Sequence, residues 1–483
     1  MIQPTLEKTR KLAEGCTLVP IAMELFADIK TPVEVLRGLR AQGRECFLLE
    51  SASGGEGWGR YTFLGFEPEM TIRGGERSVT VRGKDGVAEV IEGDPVHILK
   101  EVVAGYRSPS IPEFPPFTGG FVGYFAYEYI RHVESSLKLE ARDDVGFDDF
   151  HLMLFRKIIA FDNFSQKIFL IVNIDTDAPE ANYIEGVALL KDMERLVRMP
   201  SPEPAPEREH VPPVFTPSFE RDDFCAAVEK VKRHIFEGDI FQCVPSVRFR
   251  APYGDDLLGA YRMLRTTNPS AYMFYIRFDD FQIAGASPET LVSLRDGIAG
   301  TYPLAGTCPR TDDEEETKAL IAQMLADEKE LAEHDMLVDL GRNDLGKICR
   351  FGSVKLAEYR SVKKLSHVCH IASKVTGELG EGYDAPDVVA AVLPAGTLSG
   401  APKLRACEII DEAENLRRGP YGGAIGYIDF TGNLDLCIGI RMAVLKDGFV
   451  YVQAGAGIVA DSVPEKEYEE CLRKASAMME ALT

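Results

Sequence analysis

No stretch of roughly 18 consecutive apolar residues occurs in this sequence, which excludes a helix long enough to span a bilayer. The first residues, MIQPTLEK, lack a basic end followed by an apolar core, so they do not read as a secretory signal. The ten cysteines include no C-x-x-C pair, and no His-x-His occurs. Neither a zinc site nor a disulfide framework is expected, and a reducing cytoplasm fits best. Positive charge is also short, with 54 Lys and Arg against 76 Asp and Glu and a formal charge of −22. A general nucleic-acid binder needs a basic face, so that class is excluded. A small anionic substrate is not, because one pocket can be basic or metal-lined inside an acidic protein.

What is present is ordinary globular material. With 45% hydrophobic and 27% charged residues, wholesale disorder is ruled out, and 483 residues allow two or three packed units. The one composition break is 198–217, which carries seven prolines and no periodicity. Proline at that density cannot continue a helix or central strand, so a linker is placed at 200–217, between units 1–199 and 218–483. Strand patterns fill 46–51, 60–65, 78–82 and 154–174; later ones are expected at 243–250, 271–278 and 281–295. Helices are expected at 219–237, 313–340, 403–415 and 463–481. A three-strand meander is expected over 422–430, 434–446 and 448–455. Strand and helix runs do not alternate strictly, which favours α+β with antiparallel sheets. GGFVGY at 119–124 and GGAIGY at 422–427 echo each other weakly.

Two helices share an acidic spacing. Glu330 and Glu333 are three apart and therefore on one face, with Leu320, Met324 and Leu331 marking the apolar side. In the second helix Ser462 with Glu465 reads as a capping box, and Tyr468, Leu472, Ala475 and Met479 as the core stripe. Glu470 and Lys474 then lie opposite the core, with Glu467 on the flank. An isolated E-x-x-E is most often a solvated face; the alternative is that both faces converge on a Mg²⁺, which takes one or two carboxylates and finishes its shell with water and substrate oxygens. Residues 455–460 formally fit G-x-G-x-x-A, but only 23 residues follow, too few for a dinucleotide fold. The Gly-rich turn can still offer N–H groups to a carboxylate. Arg441 is expected on the small-residue face of the second meander strand, among Asp435, Cys437, Gly439 and Ala443, either as a carboxylate ligand or as a surface arginine. His367 and His370 fall on opposite strand faces, where a lone His is usually structural.

Four segments resemble the chorismate-utilising enzymes: 326–344 (ADEKELAEHDMLVDLGRND), 393–403 (LPAGTLSGAPK), 418–423 (RGPYGG) and 453–461 (QAGAGIVAD). The likeness runs from about residue 219 to the end, and 48–51 (LLES) and 117–124 (FTGGFVGY) extend it to the amino-terminal part. It implies an α+β fold whose antiparallel sheets form a sandwich-like core with helices outside, in two intimately associated parts. Within the family the sequence is most similar to the anthranilate-forming branch. That implies conversion of chorismate and ammonia to anthranilate and pyruvate with Mg²⁺, in tryptophan biosynthesis. Ammonia would come from a glutamine amidotransferase subunit in a heterodimer or heterotetramer, with partner contacts and tryptophan regulation assigned to 1–199 and catalysis to 218–483.

The family motif that holds a nucleophilic lysine in aminodeoxychorismate-forming enzymes reads here PLAGT, with Ala305 at that position. Where water-activating relatives carry lysine, this chain has Gln242. The resemblance further implies Glu289 as general acid, His370 in pyruvate elimination, and Glu330 and Thr397 as further catalytic groups. Glu333 and Glu470 would ligate Mg²⁺, with Glu330 and Glu467 beside them. Gly300, Thr301, Tyr421, Arg441, Gly455, Ala456, Gly457 and Lys474 would hold chorismate. Ser51, Ala271, Tyr272 and Met273 would form a feedback site for L-tryptophan, with Ala271 replacing the usual proline. Two alternatives stay open: an aminodeoxychorismate-forming enzyme, and a non-catalytic tryptophan-sensing homologue.

Overall fold

Strands whose residues are apolar on both faces must be covered on both sides, and here two sheets cover each other while helices cover their backs. The computed structural model describes residues 2–28, 30–41, 45–51, 59–200, 212–364 and 368–483. Its strands form two 12-stranded sheets and one two-stranded pairing, with antiparallel pairing between every named neighbour. In Cys46–Glu50, Phe47 points into the core between the sheets, while Cys46 and Leu48 point outward to the helices. Helices Pro32–Ala41, Pro179–Arg198, Arg221–Glu237, Leu257–Thr267, Lys403–Glu414 and Pro464–Ala481 pack behind the first sheet. Pro95–Ala104, Glu328–Gly346 and Ala385–Val392 pack behind the second. The expected α+β sandwich is what the chain forms.

Both sheets run through strands from either side of the proline-rich stretch. Cys46–Glu50 pairs with Tyr272–Arg277, and Gly120–Phe125 pairs with Ala424–Asp429. The echoing GGFVGY and GGAIGY segments are therefore neighbours, with Gly123 opposite Gly426. Thr216–Pro217, at the end of the stretch expected as linker, is a short edge strand on Ser246–Pro252; residues 201–211 lie outside the described residues, as does His367.

Three local expectations are corrected. The meander strand expected over 434–446 breaks in two: Leu434–Ile438 belongs to the second sheet and Met442–Lys446 to the first. Residues 439–441 cross between them, with Arg441 at φ 53°. A Cβ on Gly439 would come within 2.2 Å of the Pro420 carbonyl, so only glycine fits this crossing. The helix expected over 313–340 is two, Glu314–Ala326 and Glu328–Gly346, because Asp327 ends the first and caps the second by accepting from the amides of Lys329 (2.9 Å) and Glu330 (3.3 Å). The last helix has Val463 as N-cap, with no side-chain cap; the Ser462 hydroxyl accepts instead from the Val459 amide (3.1 Å). Its core stripe is Tyr468, Cys471, Ala475 and Met478, while Leu472 is 40% exposed.

Candidate active site

A cavity of about 430 Å³ is lined by Ile440 and Arg441 of the crossing segment together with residues of both sheets. Its size suits a small ligand. Helix Glu328–Gly346 brings Glu330 and Glu333 to it, and helix Pro464–Ala481 brings Glu470 and Lys474. Glu289 enters just after strand Phe281–Ser287, Thr397 from the turn Gly396–Leu398, and His370 from strand Val368–Glu378. Tyr421, Arg441, Gly455 and Gly457 complete the set expected from the sequence that lines this cavity.

The charged groups constrain one another. The Thr397 hydroxyl donates to the Glu289 carboxylate (3.0 Å), and the Glu289 carbonyl accepts from the Ile438 amide (3.0 Å). Burial pushes the Glu289 carboxyl up to about 7, against the smaller opposing pulls of Thr397, Lys474 and Arg441. Arg441 donates to the Lys474 carbonyl (2.8 Å), and Lys474 donates to the Gly455 carbonyl (3.0 Å) and pairs with Glu470 (3.2 Å). Burial lowers both of these cations' pKa values, and the Arg441 charge adds to the effect on Lys474. The Glu333 carboxyl is raised, first by burial and then by the neighbouring Glu330 charge. His370 Nδ1 lies 3.1 Å from both the Gly306 carbonyl and the Thr307 hydroxyl, and burial lowers its pKa. A side chain on Gly455 would meet the Pro245 carbonyl at 2.8 Å and the Tyr421 hydroxyl at 3.0 Å, so its absence keeps this wall open.

Some residues fall elsewhere. Thr301 lines a smaller cavity behind Glu289 and Thr397, and Gly300 pairs with Thr376 in the adjoining strand; neither lines the main cavity. Gly306 and Thr307, on the next strand, line it instead. Ala456 and Glu467 are also outside the lining, and the Ala456 amide donates to the Pro245 carbonyl (3.1 Å). The carboxylates at 330, 333, 467 and 470 do not form a tight cluster. Among the described residues, the one group of three metal-ligating side chains within 4.8 Å of one another is His234, Glu237 and Asp239, far along the chain and tied by Asp239 to Arg405 (3.2 Å).

Arg418 stands behind the cavity wall. Fully buried, it pairs with Glu414 and donates to the carbonyls of the lining residues Leu398 and Val244, both at 2.7 Å. Ala305 and Gln242 both line the cavity, so Lys474 is the one amine among the lining side chains.

A second cavity gathers Ser51, Ala271, Tyr272 and Met273 across the paired strands Cys46–Glu50 and Tyr272–Arg277. Tyr61, Phe63, Phe274 and Tyr427 supply aromatic walls, and Glu50, Asp435 and Arg295 supply charges of both signs.

Residues 44–480 match the model of a family described as chorismate binding enzyme. The chain is 43% identical to the anthranilate synthase component 1 of Acetivibrio thermocellus, covering all of this chain and 99% of that protein. It is also 43% identical to that of Pseudomonas aeruginosa, over 99% and 98% of the two chains. Among solved structures, anthranilate synthase component I from Streptococcus pneumoniae superposes with a TM-score of 0.79 at 37% identity, over 94% of this chain and 99% of that one. The menaquinone-specific isochorismate synthase from Escherichia coli shares the fold, with a TM-score of 0.72 at 19% identity over 99% of each chain. Family match, full-length likeness and shared fold agree with the cavity in one conclusion: the chain belongs to the chorismate binding enzyme family, in the branch of the anthranilate synthase component 1 proteins, and is an enzyme that acts on chorismate.

Proposed function

We propose that the chain aminates chorismate with ammonia and expels pyruvate, so that chorismate and NH₃ yield anthranilate, pyruvate and water. The observation that carries this reading is the cavity's nitrogen chemistry. Positions 305 and 242 both line it and neither bears an amine, while Lys474 is engaged with Gly455 and Glu470. With no enzyme amine to attack the ring and no lysine to activate water, ammonia is the nucleophile left.

In the first step a C–N bond forms to the ring and the ring hydroxyl leaves as water, taking its proton from Glu289. Burial suits Glu289 to this, because a carboxyl raised to about 7 still holds a proton near neutral pH. Arg441 and Tyr421 fix the substrate's carboxylates, with Lys474 beside them. In the second step a ring proton is removed and the enolpyruvyl group departs as pyruvate. A carbonyl can only accept, so the Gly306 contact places the His370 proton on Nδ1 and leaves the Nε2 lone pair free as a base. Burial favours that neutral form. Changing His370 to Met should let chorismate consumption continue while anthranilate formation falls about a hundredfold or more and an aminated intermediate accumulates, as read by chromatography. Strictly parallel loss of both would remove His370 from the second step.

Glu333, Glu470 and Glu330 offer hard oxygen donors from two helices to one cavity, a donor set that fits Mg²⁺. When bound, the ion supplies neutralisation of the ring carboxylate and withdrawal of electrons toward it. Ammonia is assigned to a glutamine amidotransferase subunit, a reading supported by the similarity to proteins named anthranilate synthase component 1, a name that implies a second component.

The second cavity is assigned to L-tryptophan. Its aromatic walls suit the indole, and its carboxylates and Arg295 suit the ammonium and carboxylate of an amino acid. Ser51→Phe should fill this cavity and raise the tryptophan concentration for half-inhibition at least about tenfold, with most ammonia-dependent turnover kept. Unchanged inhibition would remove Ser51 from the site.

The experiment that tests the reaction is product identification from the chain with chorismate, Mg²⁺ and excess ammonium. Fluorescent anthranilate supports it, and 4-amino-4-deoxychorismate as end product replaces it with the runner-up activity.

A further inference from the structure

Segment 287–290 connects the two cavities: Pro288 and Glu289 line the catalytic one, and Thr290 bonds Tyr272, a wall of the aromatic one. Tyr272 pairs across the strands with Ser287, two residues before Glu289. The Tyr272 hydroxyl lies 2.8 Å from a carboxylate oxygen of Asp435 and 3.0 Å from the Thr290 hydroxyl. A phenol has one proton to give. The carboxylate takes it, and the Thr290 hydroxyl donates its own to the phenol oxygen. Thr290 adjoins Glu289, whose carbonyl is held by the Ile438 amide, and the Ser287 hydroxyl donates to the Ile438 carbonyl (2.8 Å). Thr290 is also where the pairing with Leu434–Ile438 slips register, before Val292. The backbone next to the acid is therefore held by one main-chain bond to Ile438 and by the side-chain bonds of Ser287 and Thr290, at a point where the regular ladder slips.

We infer that Thr290 is a positioning residue for Glu289, and that its hydroxyl bond to Tyr272 links the occupant of the aromatic cavity to catalysis. The inference rests on the regulatory reading above and specifies its route. A ligand that displaces the Tyr272 ring pulls on Thr290, which turns Glu289 away from the Thr397 hydroxyl. The coupling is physical and local: two cavities share one hydrogen-bonded element whose position both bias. Effector and substrate must then oppose each other's binding by the same factor.

The test uses the full chain, L-tryptophan as probe, and two variants. Thr290→Val keeps the shape and removes the hydroxyl; Thr290→Ser restores it. Thr290→Val should bind tryptophan within about threefold of the parent by calorimetry, while saturating tryptophan leaves more than about half of its activity. Without effector, its alkaline limb in kcat/KM should move to higher pH, because Glu289 loses the alignment in which Thr397 stabilises its charge. Thr290→Ser should return both readouts to the parent's. If Thr290→Val fails to fold, Tyr272→Phe removes the other hydroxyl of the same bond and should show the same shift of the limb. Full inhibition of Thr290→Val with an unmoved limb overturns the inference while leaving the regulatory reading intact. No binding of tryptophan by the parent overturns the regulatory reading and the link together, and the pH limb then decides positioning alone.

Discussion

Replacing Glu289 by Gln is expected to lower kcat/KM by about 10²–10⁴, the range that loss of a positioned general acid costs. Gln keeps the size of the side chain and can still meet the Thr397 hydroxyl, so geometry is preserved while the proton is lost. The pH dependence gives the same residue a second signature. Burial pushes this carboxyl up to about 7, and a general acid at this position would act from its protonated form. At constant free ammonia, kcat/KM should hold below that pH and fall as pH rises through it; the Gln variant should lack this limb. The sign for stability follows from the same shift. A carboxyl raised above its ordinary 4.5 favours the fold while protonated and loses that contribution as pH rises from about 4.5 through about 7. Thermal melts should therefore show Glu289→Gln more stable than the parent at pH 8 and equal to it at pH 4. Retention of the alkaline limb in the variant would assign it to another group.

Glu470→Gln is expected to abolish most turnover, by at least about a hundredfold, with little change in fold. Glu470 lies on the polar side of its helix, half-buried at the cavity and paired with Lys474 and Arg473, while the core of that helix is carried by Tyr468, Cys471, Ala475 and Met478. Removing one charge from a surface pairing costs little stability, about 0.5 kcal/mol. Removing one of three oxygen donors should raise the Mg²⁺ concentration for half-maximal activity at least about tenfold. Titration of the variant with Mg²⁺ measures this, and parent-like activity at saturating metal would contradict the ligand assignment.

The parts of the fold and site that were legible in the sequence share a physical feature: they are local. Helix periods placed Lys403–Glu414 and Pro464–Ala481 within a residue or two, although the capping box expected for the second is not formed. The break at 439–441 was not legible because apolar residues line both faces before and after it, so the period of two runs on unbroken while the strand changes sheet. The helix break at Asp327 was hidden because Leu320, Met324 and Leu331 still reach one cluster, so the apolar side runs on across it. Motif likeness brought Glu289, His370, Tyr421, Arg441 and the acidic helices to one cavity. Gly300 and Thr301 fall outside that lining, one strand away from it, since Ile298–Thr301 and Leu304–Pro309 lie close in sequence and both pair with Val368–Glu378. The Gly-Thr pair that does line the cavity, Gly306 and Thr307, lies in the PLAGT motif. Arg418 carries no sequence signal beyond its place in RGPYGG, because what it holds lies at Val244, Leu398 and Glu414, contacts that only the folded chain brings together.

The reaction assigned here turns on ammonia attacking the ring directly, with no enzyme amine in between. Incubating the chain with chorismate, Mg²⁺ and ¹⁵N-ammonium, then weighing both product and protein by mass spectrometry, addresses that point. Anthranilate carrying ¹⁵N stoichiometrically, from a protein of unchanged mass throughout turnover, is the predicted result. A chorismate-derived adduct on the chain during turnover, or a product without the label, would contradict it.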